Sequence, residues 1–290
     1  MLFCFIGNCL VAVGNMRLFL YKTICSDKFS PPGAFLLLIL LFCNIIFYGD
    51  VMPKYKIADV ITEIHTNFDT FKNYARDYLY TGEEPARLRL AIREDYVRQR
   101  AVKNQHLELG IIESIFLADL FNKKILKFNS VYIHSSAIVY KEKAYLFSAD
   151  SGTGKSTHTK LWIEAFGNEN VQIINDDKPI VRYIDGAWYA YGTPFDGGSG
   201  INLNTRARLG GIVFIERAEE NSVVRLNKNE VFNRLYKNTI KFSLDSEYAG
   251  YMLNTASKLI EEIPFYLLSC NTDIQAAVIC EKYLTNGREL

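Results

Sequence analysis

Ala149-Asp150-Ser151-Gly152-Thr153-Gly154-Lys155-Ser156 is the stretch that decides how the rest of this chain is read. It fits the Walker A form, with alanine in place of the first glycine. A short β-type run, Ala144 to Ser148, precedes it, and Lys155 to Phe166 reads as a helix stopped by Gly167. Gly152 and Gly154 let the backbone curl until several N–H groups face one point. The helix that begins there adds its positive end. Lys155 supplies a point charge for β- and γ-phosphates, and the Ser156 hydroxyl suits Mg²⁺. Ser151, Gly152, Thr153, Gly154 and Thr157 complete the expected nucleotide-binding set, so ATP and Mg²⁺ are the expected cofactors.

Downstream of the loop, Val171 to Ile174 reads as a buried strand that ends in Asn175-Asp176-Asp177. The carboxyl ends of strands are where α/β folds bind ligands. A metal–nucleotide site needs a carboxylate near the cation, and a kinase needs a base for the acceptor hydroxyl. Adjacent aspartates point in different directions, so each can take one role. A plain Asx turn, common after strands, is the other reading of the pair. Upstream, His134 lies in Val131-Tyr132-Ile133-His134-Ser135-Ser136, one strand before the loop strand. A lone histidine is more often a hydrogen-bonded core or surface group than a catalyst.

The remaining elements follow from periodicity and turn chemistry. Lys54 to Thr62 predicts a strand, Phe68 to Tyr80 a short amphipathic helix, and Arg87 to Lys103 a half-exposed strand. Leu107 to Leu126 predicts a helix, and Val131 to Tyr140 a β-type run. Pro179 to Ile184 and Trp188 to Tyr191 predict a hairpin across Asp185-Gly186. Tyr191 to Gly200 reads as a mobile loop whose Gly197-Gly198-Ser199-Gly200 could serve as an acceptor flap. Strands at Gly211 to Glu216, Val223 to Leu226 and Phe265 to Cys270 alternate with helices near Glu230, Glu247 and Asp273. The fold class is α/β: a mixed sheet around the Walker loop over residues 126–290, preceded by a small α+β region at 52–125.

Residues 1–51 form an apolar leader. Ala34 to Tyr48 carries no charge, but it is shorter than the roughly 20 residues of a spanning helix. Arg17, Lys22 and Lys28 precede it, which would place the C-terminal part outside the cell. That conflicts with ATP chemistry, so a native start at Met52 is the preferred reading and a membrane anchor the other. Only Cys270 and Cys280 of six cysteines lie beyond Met52, and no Cys-x-x-Cys pair occurs, which points to a reduced, cytoplasmic protein. Lys+Arg total 33 against 32 Asp+Glu, so no bulk basic field exists to gather nucleic acid. The partners expected are ATP and a hydroxyl acceptor; a homo-oligomer stays open, and membrane contact is expected only with the leader as anchor.

These elements together resemble the HPr kinase/phosphorylase family, whose nucleotide-binding core is shared with ATP-dependent phosphoenolpyruvate carboxykinase. The resemblance runs from about Leu126 to Arg217. It is carried by His134-Ser135-Ser136, Ser151 to Ser156 and Asp176-Asp177. Thr157 to Trp162, Tyr191 to Phe195 and Phe214 to Arg217 are similar to a subgroup of small HPr-kinase-like bacterial proteins. The resemblance implies that His134 sits by the transferred phosphate, that Asp176 is the proton acceptor, and that Lys155 and Ser156 act as described. With Asp176 as base, Asp177 joins Ser156 on the metal. Thr157 stands where HPr-directed enzymes of the family carry glutamate, which argues against HPr itself as acceptor. The expected function is an ATP-dependent serine phosphotransferase acting on a protein, peptide or small molecule. A non-catalytic ATP sensor is the alternative, and a carboxykinase-type enzyme ranks below both.

Overall fold

The computed structural model describes residues 2–6, 9–13, 52–239 and 245–286. The chain divides into two compact units, Met1–Val51 and Met52–Leu290. In the first, β1 (Leu2–Ile6) and β2 (Cys9–Val13) pair antiparallel. The run Ala34 to Tyr48, and with it the anchor reading, lies outside the described residues. Among the described residues, no helix is long and apolar enough to cross a membrane.

The second unit opens with a three-stranded sheet. β3 (Lys54–Ile57) and β4 (Val60–His65) form a hairpin, and β5 (Leu88–Ala91) joins β4 in parallel. α1 (Thr70–Tyr74) and a 3₁₀ turn at Arg76–Tyr78 bury Phe71 and Tyr78. The expected strand across Arg87 to Lys103 is corrected: only Leu88–Ala91 is extended, and α2 covers Glu94–Ala101. Leu88 and Leu90 alternate into the core, but beyond them Val97 alone is buried on α2. Charges spaced four apart, such as Glu94 and Arg98, suit a solvated helix better than a strand. α3 (Leu109–Ile125) follows close to its expected bounds.

The main sheet contains β6 (Ser130–Tyr132), β7 (Ser135–Tyr140), β8 (Lys143–Ser148), β9 (Val171–Asn175), β10 (Ile180–Ile184) and β11 (Ala187–Tyr191). It is completed by β12 (Arg206–Arg217), β13 (Ser222–Arg225) and β14 (Phe265–Cys270). α4 (Lys155–Phe166) follows β8, α5 (Lys228–Thr239) and α6 (Ser246–Glu262) lie between β13 and β14, and α7 (Gln275–Asn286) follows β14. The hydrogen-bonded order is β6-β10-β11-β12-β8-β7-β9, with β14 also on β12 and β13 on β14. The long β12 gives its first residues to β11 (Arg206 opposite Tyr191) and its last to β14 (Ile212 opposite Phe265). β8 runs parallel along its other side.

The β-type run from Val131 to Tyr140 is two strands. Only Ile133 and His134 separate β6 from β7, yet β10, β11, β12 and β8 lie between them in the hydrogen-bonded order. The sheet therefore curls back on itself, and the chain changes position in it at His134. Both strands are so buried that no alternation marks the break in the sequence. One apolar cluster joins Tyr55, Phe71 and Phe121 to Tyr132, Tyr191 and Phe195, so the α+β section and the main sheet share a core. The loop after Tyr191 is corrected as well: it is buried from Tyr191 through Asp196, and only residues 197–200 are exposed. Phe195 packs between Phe71 and Phe121, which removes the freedom that the glycine content suggested.

Candidate functional site

Strand register brings the expected residues to one sheet edge. Ser148, the last residue of β8, lies opposite Ser135, the first of β7, and Asn175 at the end of β9 lies opposite Ala137. β12 and β14 run parallel to β8, with Phe214 beside Ser148 and Arg217 beside Cys270. The 149–154 loop, His134, Asp176-Asp177 and Arg217 therefore leave the sheet on the same side.

Gly152 has φ +78 and Gly154 φ +124, angles that side chains resist. A Cβ at either would meet nothing within 4 Å, so backbone angle rather than crowding selects glycine, and the space beside the loop is open. Thr153 N–H closes a turn on the Asp150 carbonyl at 3.2 Å. Gly154 caps α4 without any side-chain hydrogen bond. The first-turn N–H groups of a helix have no intrahelical acceptor, so those of Ser156 and Thr157 are available to an anion. Lys155 is buried, and its Nζ donates to the Ala149 carbonyl at 3.1 Å. Ser151 and Thr157 are exposed and Ser156 is half-buried. A cavity of about 320 Å³ opens beside the loop, walled by Thr157, His158, Ile215, Arg217 and Asn271. That volume is in the range of small-ligand sites.

The Asx turn is present, and its acceptor is Asn175. The Asn175 Oδ1 accepts the N–H groups of Asp177 at 3.0 Å and Lys178 at 2.6 Å, while its Nδ2 donates to the Thr193 carbonyl at 2.8 Å. The turn fixes the backbone that carries both aspartates. Asp177 Oδ1 lies 3.2 Å from His134 Nε2, and Lys178 Nζ donates to Asp177 Oδ2. Burial opposes ionisation of Asp177, but the His134 contact and the Lys178 ammonium outweigh it and hold the carboxyl below its ordinary range. Asp176 differs: its Oδ1 is buried and has no hydrogen-bond partner. The His134 carbonyl accepts from the Ser148 hydroxyl at 2.9 Å and its N–H donates to the Asn238 carbonyl at 2.9 Å, so the backbone at His134 is held from both flanks, while the buried imidazole Nδ1 has no hydrogen-bond partner.

Among the described residues, no group of three His, Cys, Asp or Glu is placed to hold a metal. Mg²⁺ is characteristically held by one or two side chains together with water and phosphate, so a sparse donor set fits it. The Asp177 carboxyl, held below its ordinary range, fits a hard cation, and the open glycine loop fits a phosphate-bearing ligand. His134 and Asp177 are brought into contact; Ser156 and Asp177 share the edge without a direct hydrogen bond between them. The sequence by itself assigned no role to Asn175, Lys178, Thr193 or Arg217, which the structure places at this edge. Asn175 was legible as the residue preceding Asp-Asp at a strand end, whereas Thr193 and Arg217 find their partners in loops 15 and 65 residues away in the chain.

No family model matches the chain, and no curated protein matches it. Among solved structures it is similar to the HPr(Ser) kinase/phosphatase from Coxiella burnetii, at 9% identity and a TM-score of 0.33. The match covers 54% of this chain and 90% of that one.

Proposed function

We propose that this chain is an ATP- and Mg²⁺-dependent kinase that transfers a phosphoryl group to a hydroxyl, a serine's above all, of a protein, peptide or small molecule. The observation that carries the reading is the buried, unpartnered Asp176 oxygen at the same sheet edge as the glycine loop. Leaving a buried acceptor unsatisfied costs about 1–3 kcal/mol, a cost with no purpose in a module that only holds nucleotide. In this reading the loop amides and Lys155 hold the β- and γ-phosphates. Ser156 and Asp177 are the side chains that would hold Mg²⁺, which when bound neutralises charge between the phosphates. Asp176 accepts the acceptor hydroxyl's proton. His134 contacts the phosphoryl group and steadies Asp177, and Lys178 keeps Asp177 ionised.

The test is transfer of label from γ-labelled ATP to a cell extract, followed by identification of the labelled species. The reading predicts a labelled hydroxyl in an acceptor and its loss with Lys155→Ala. ATP binding without transfer or hydrolysis would favour the sensor. Equal ATP affinity in parent and Lys155→Ala by calorimetry would remove the nucleotide assignment altogether.

A further inference from the structure

Arg217, at the end of β12, takes no part in the transfer just described, yet it is fastened to the loop that the transfer needs. Its Nη2 donates to the Gly152 carbonyl at 2.6 Å and its Nε to the Thr153 carbonyl at 3.2 Å. The neighbouring Glu216 is engaged elsewhere, by the Ser269 hydroxyl at 2.7 Å and Arg234 at 3.7 Å. A planar trans peptide sets the carbonyl of one residue antiparallel to the N–H of the next. Two consecutive carbonyls turned toward Arg217 therefore turn the N–H groups of Thr153 and Gly154 away from it. The Thr153 N–H is spent on closing the turn with Asp150, at 3.2 Å. The Gly154 N–H directly precedes the first-turn N–H groups of α4. Glycine at φ +78 and +124 has no side chain to fix its peptide planes, so the orientation has to be imposed from outside the loop. A guanidinium presents donors in one rigid plane and can hold both carbonyls; an ammonium is a point charge that cannot.

We infer that Arg217 is a positioning residue: it locks the peptide planes after Gly152 and Thr153 so that the loop amides stand ready for phosphate before any ligand arrives. The inference rests on the reading of this loop as a phosphate site. It explains why an exposed arginine is spent on two backbone oxygens rather than left in solvent.

The experiment uses the full chain and compares parent, Arg217→Ala and Arg217→Lys. Binding of Mg-ATP and of inorganic tripolyphosphate is measured by calorimetry, and the Gly154 amide resonance is followed in the ligand-free state. Loss of charge-assisted hydrogen bonds to two carbonyls predicts about tenfold weaker binding of both ligands to Arg217→Ala. Millimolar guanidinium ion should restore much of that loss, and Arg217→Lys should fall well short of the parent despite its charge. The Gly154 resonance should shift in Arg217→Ala while the Trp162 indole resonance on the same helix stays in place. Parent-like binding by Arg217→Lys would reduce the role to charge alone and overturn the inference, as would an unmoved Gly154 amide in Arg217→Ala. If the parent binds neither ligand, the kinase reading fails, and the Gly154 amide still decides whether Arg217 sets the loop.

Discussion

At the scale of single residues, the two neighbouring aspartates meet different surroundings. Asp177 is engaged by His134 and Lys178, whereas the Asp176 Oδ1 is buried with no partner. A proton acceptor acts only in the transfer step. Asp176→Asn should therefore leave Mg-ATP affinity nearly intact and cut turnover by about 10²–10⁴-fold. Calorimetry and single-turnover kinetics on the same preparation check this, and parent-like turnover would exclude Asp176 as the base. His158 gives a pH prediction. Its Nε2 accepts from the Trp162 indole at 3.0 Å, and burial pushes its pKa down to about 3 from 6.5. The unfolded chain takes up the proton near the ordinary value and the folded chain does not. The stability due to neutral His158 is therefore fully present above that value and falls as the pH drops toward the folded pKa. His158→Gln, which keeps an acceptor for Trp162, should remove about 1.4 kcal/mol per pH unit of that slope between about pH 6 and pH 4. Urea unfolding of parent and variant across the range checks it; a constant difference between them would refute it.

At the scale of elements, the segment from Gly192 to Gly200 acts as a brace. Thr193 Oγ1 donates to the Lys178 carbonyl at 2.8 Å. Asp196, itself buried, accepts from the Gly198 N–H at 2.9 Å and from Asn202 at 2.6 Å. Gly197 is at φ +66, and a Cβ there would stand 2.8 Å from Asp177 Oδ2. Gly197→Ala should press directly on the carboxylate that Lys178 and His134 hold. A strained position of this kind costs on the order of 1–3 kcal/mol. We expect a lower melting temperature, a raised Mg²⁺ requirement for transfer and little change in nucleotide affinity measured without metal. A Mg²⁺ dependence identical to the parent's would show that Asp177 is not shaped by this loop. α4 shows the opposite case, an element set by its own ends. It starts at a glycine of positive φ and stops at Gly167, φ +86, whose N–H reaches the Ile163 carbonyl at 2.8 Å.

At the scale of the second unit, the α+β section and the main sheet are fastened by a buried cation as well as by their common apolar core. Arg182 on β10 is 6% exposed, with Nη1 on the Ala58 carbonyl at 2.7 Å and Nε on the Phe128 carbonyl at 3.1 Å. Tyr191 and Arg206 both reach Asp59 from the sheet side. Arg182→Met leaves two carbonyls without partners, at a cost of about 2–4 kcal/mol. The β3–β4 turn at Ala58-Asp59 should loosen first, and amide exchange localised to residues 55–62 checks it. Loss of protection spread evenly over the unit would mean that Arg182 is not a local fastening. We also expect a chain beginning at Met52 to fold cooperatively, since residues 52–290 form a compact unit with a core of their own. A non-cooperative melt for that chain would contradict this.

What the sequence determined by itself was local chemistry. The bounds of α4 and the hairpin turn at Asp185 (φ 51) and Gly186 (φ 79) follow from glycines and caps within a few residues, and the structure places them as the residues dictate. Helix signals and turn residues act over one or two turns of chain, so they can be read without knowing the fold. The tertiary structure decided the pairings across distance. His134 meets Asp177, and Arg217 meets Gly152, because strands far apart in sequence end at one edge of a curled sheet. Register is fixed by which apolar faces must be buried together, and in strands buried on both faces no alternation records it. The glycine-rich loop was misread for the same reason. Its composition speaks of local freedom, while Phe195, packed against Phe71 and Phe121, removes that freedom through contacts that no short stretch of sequence contains.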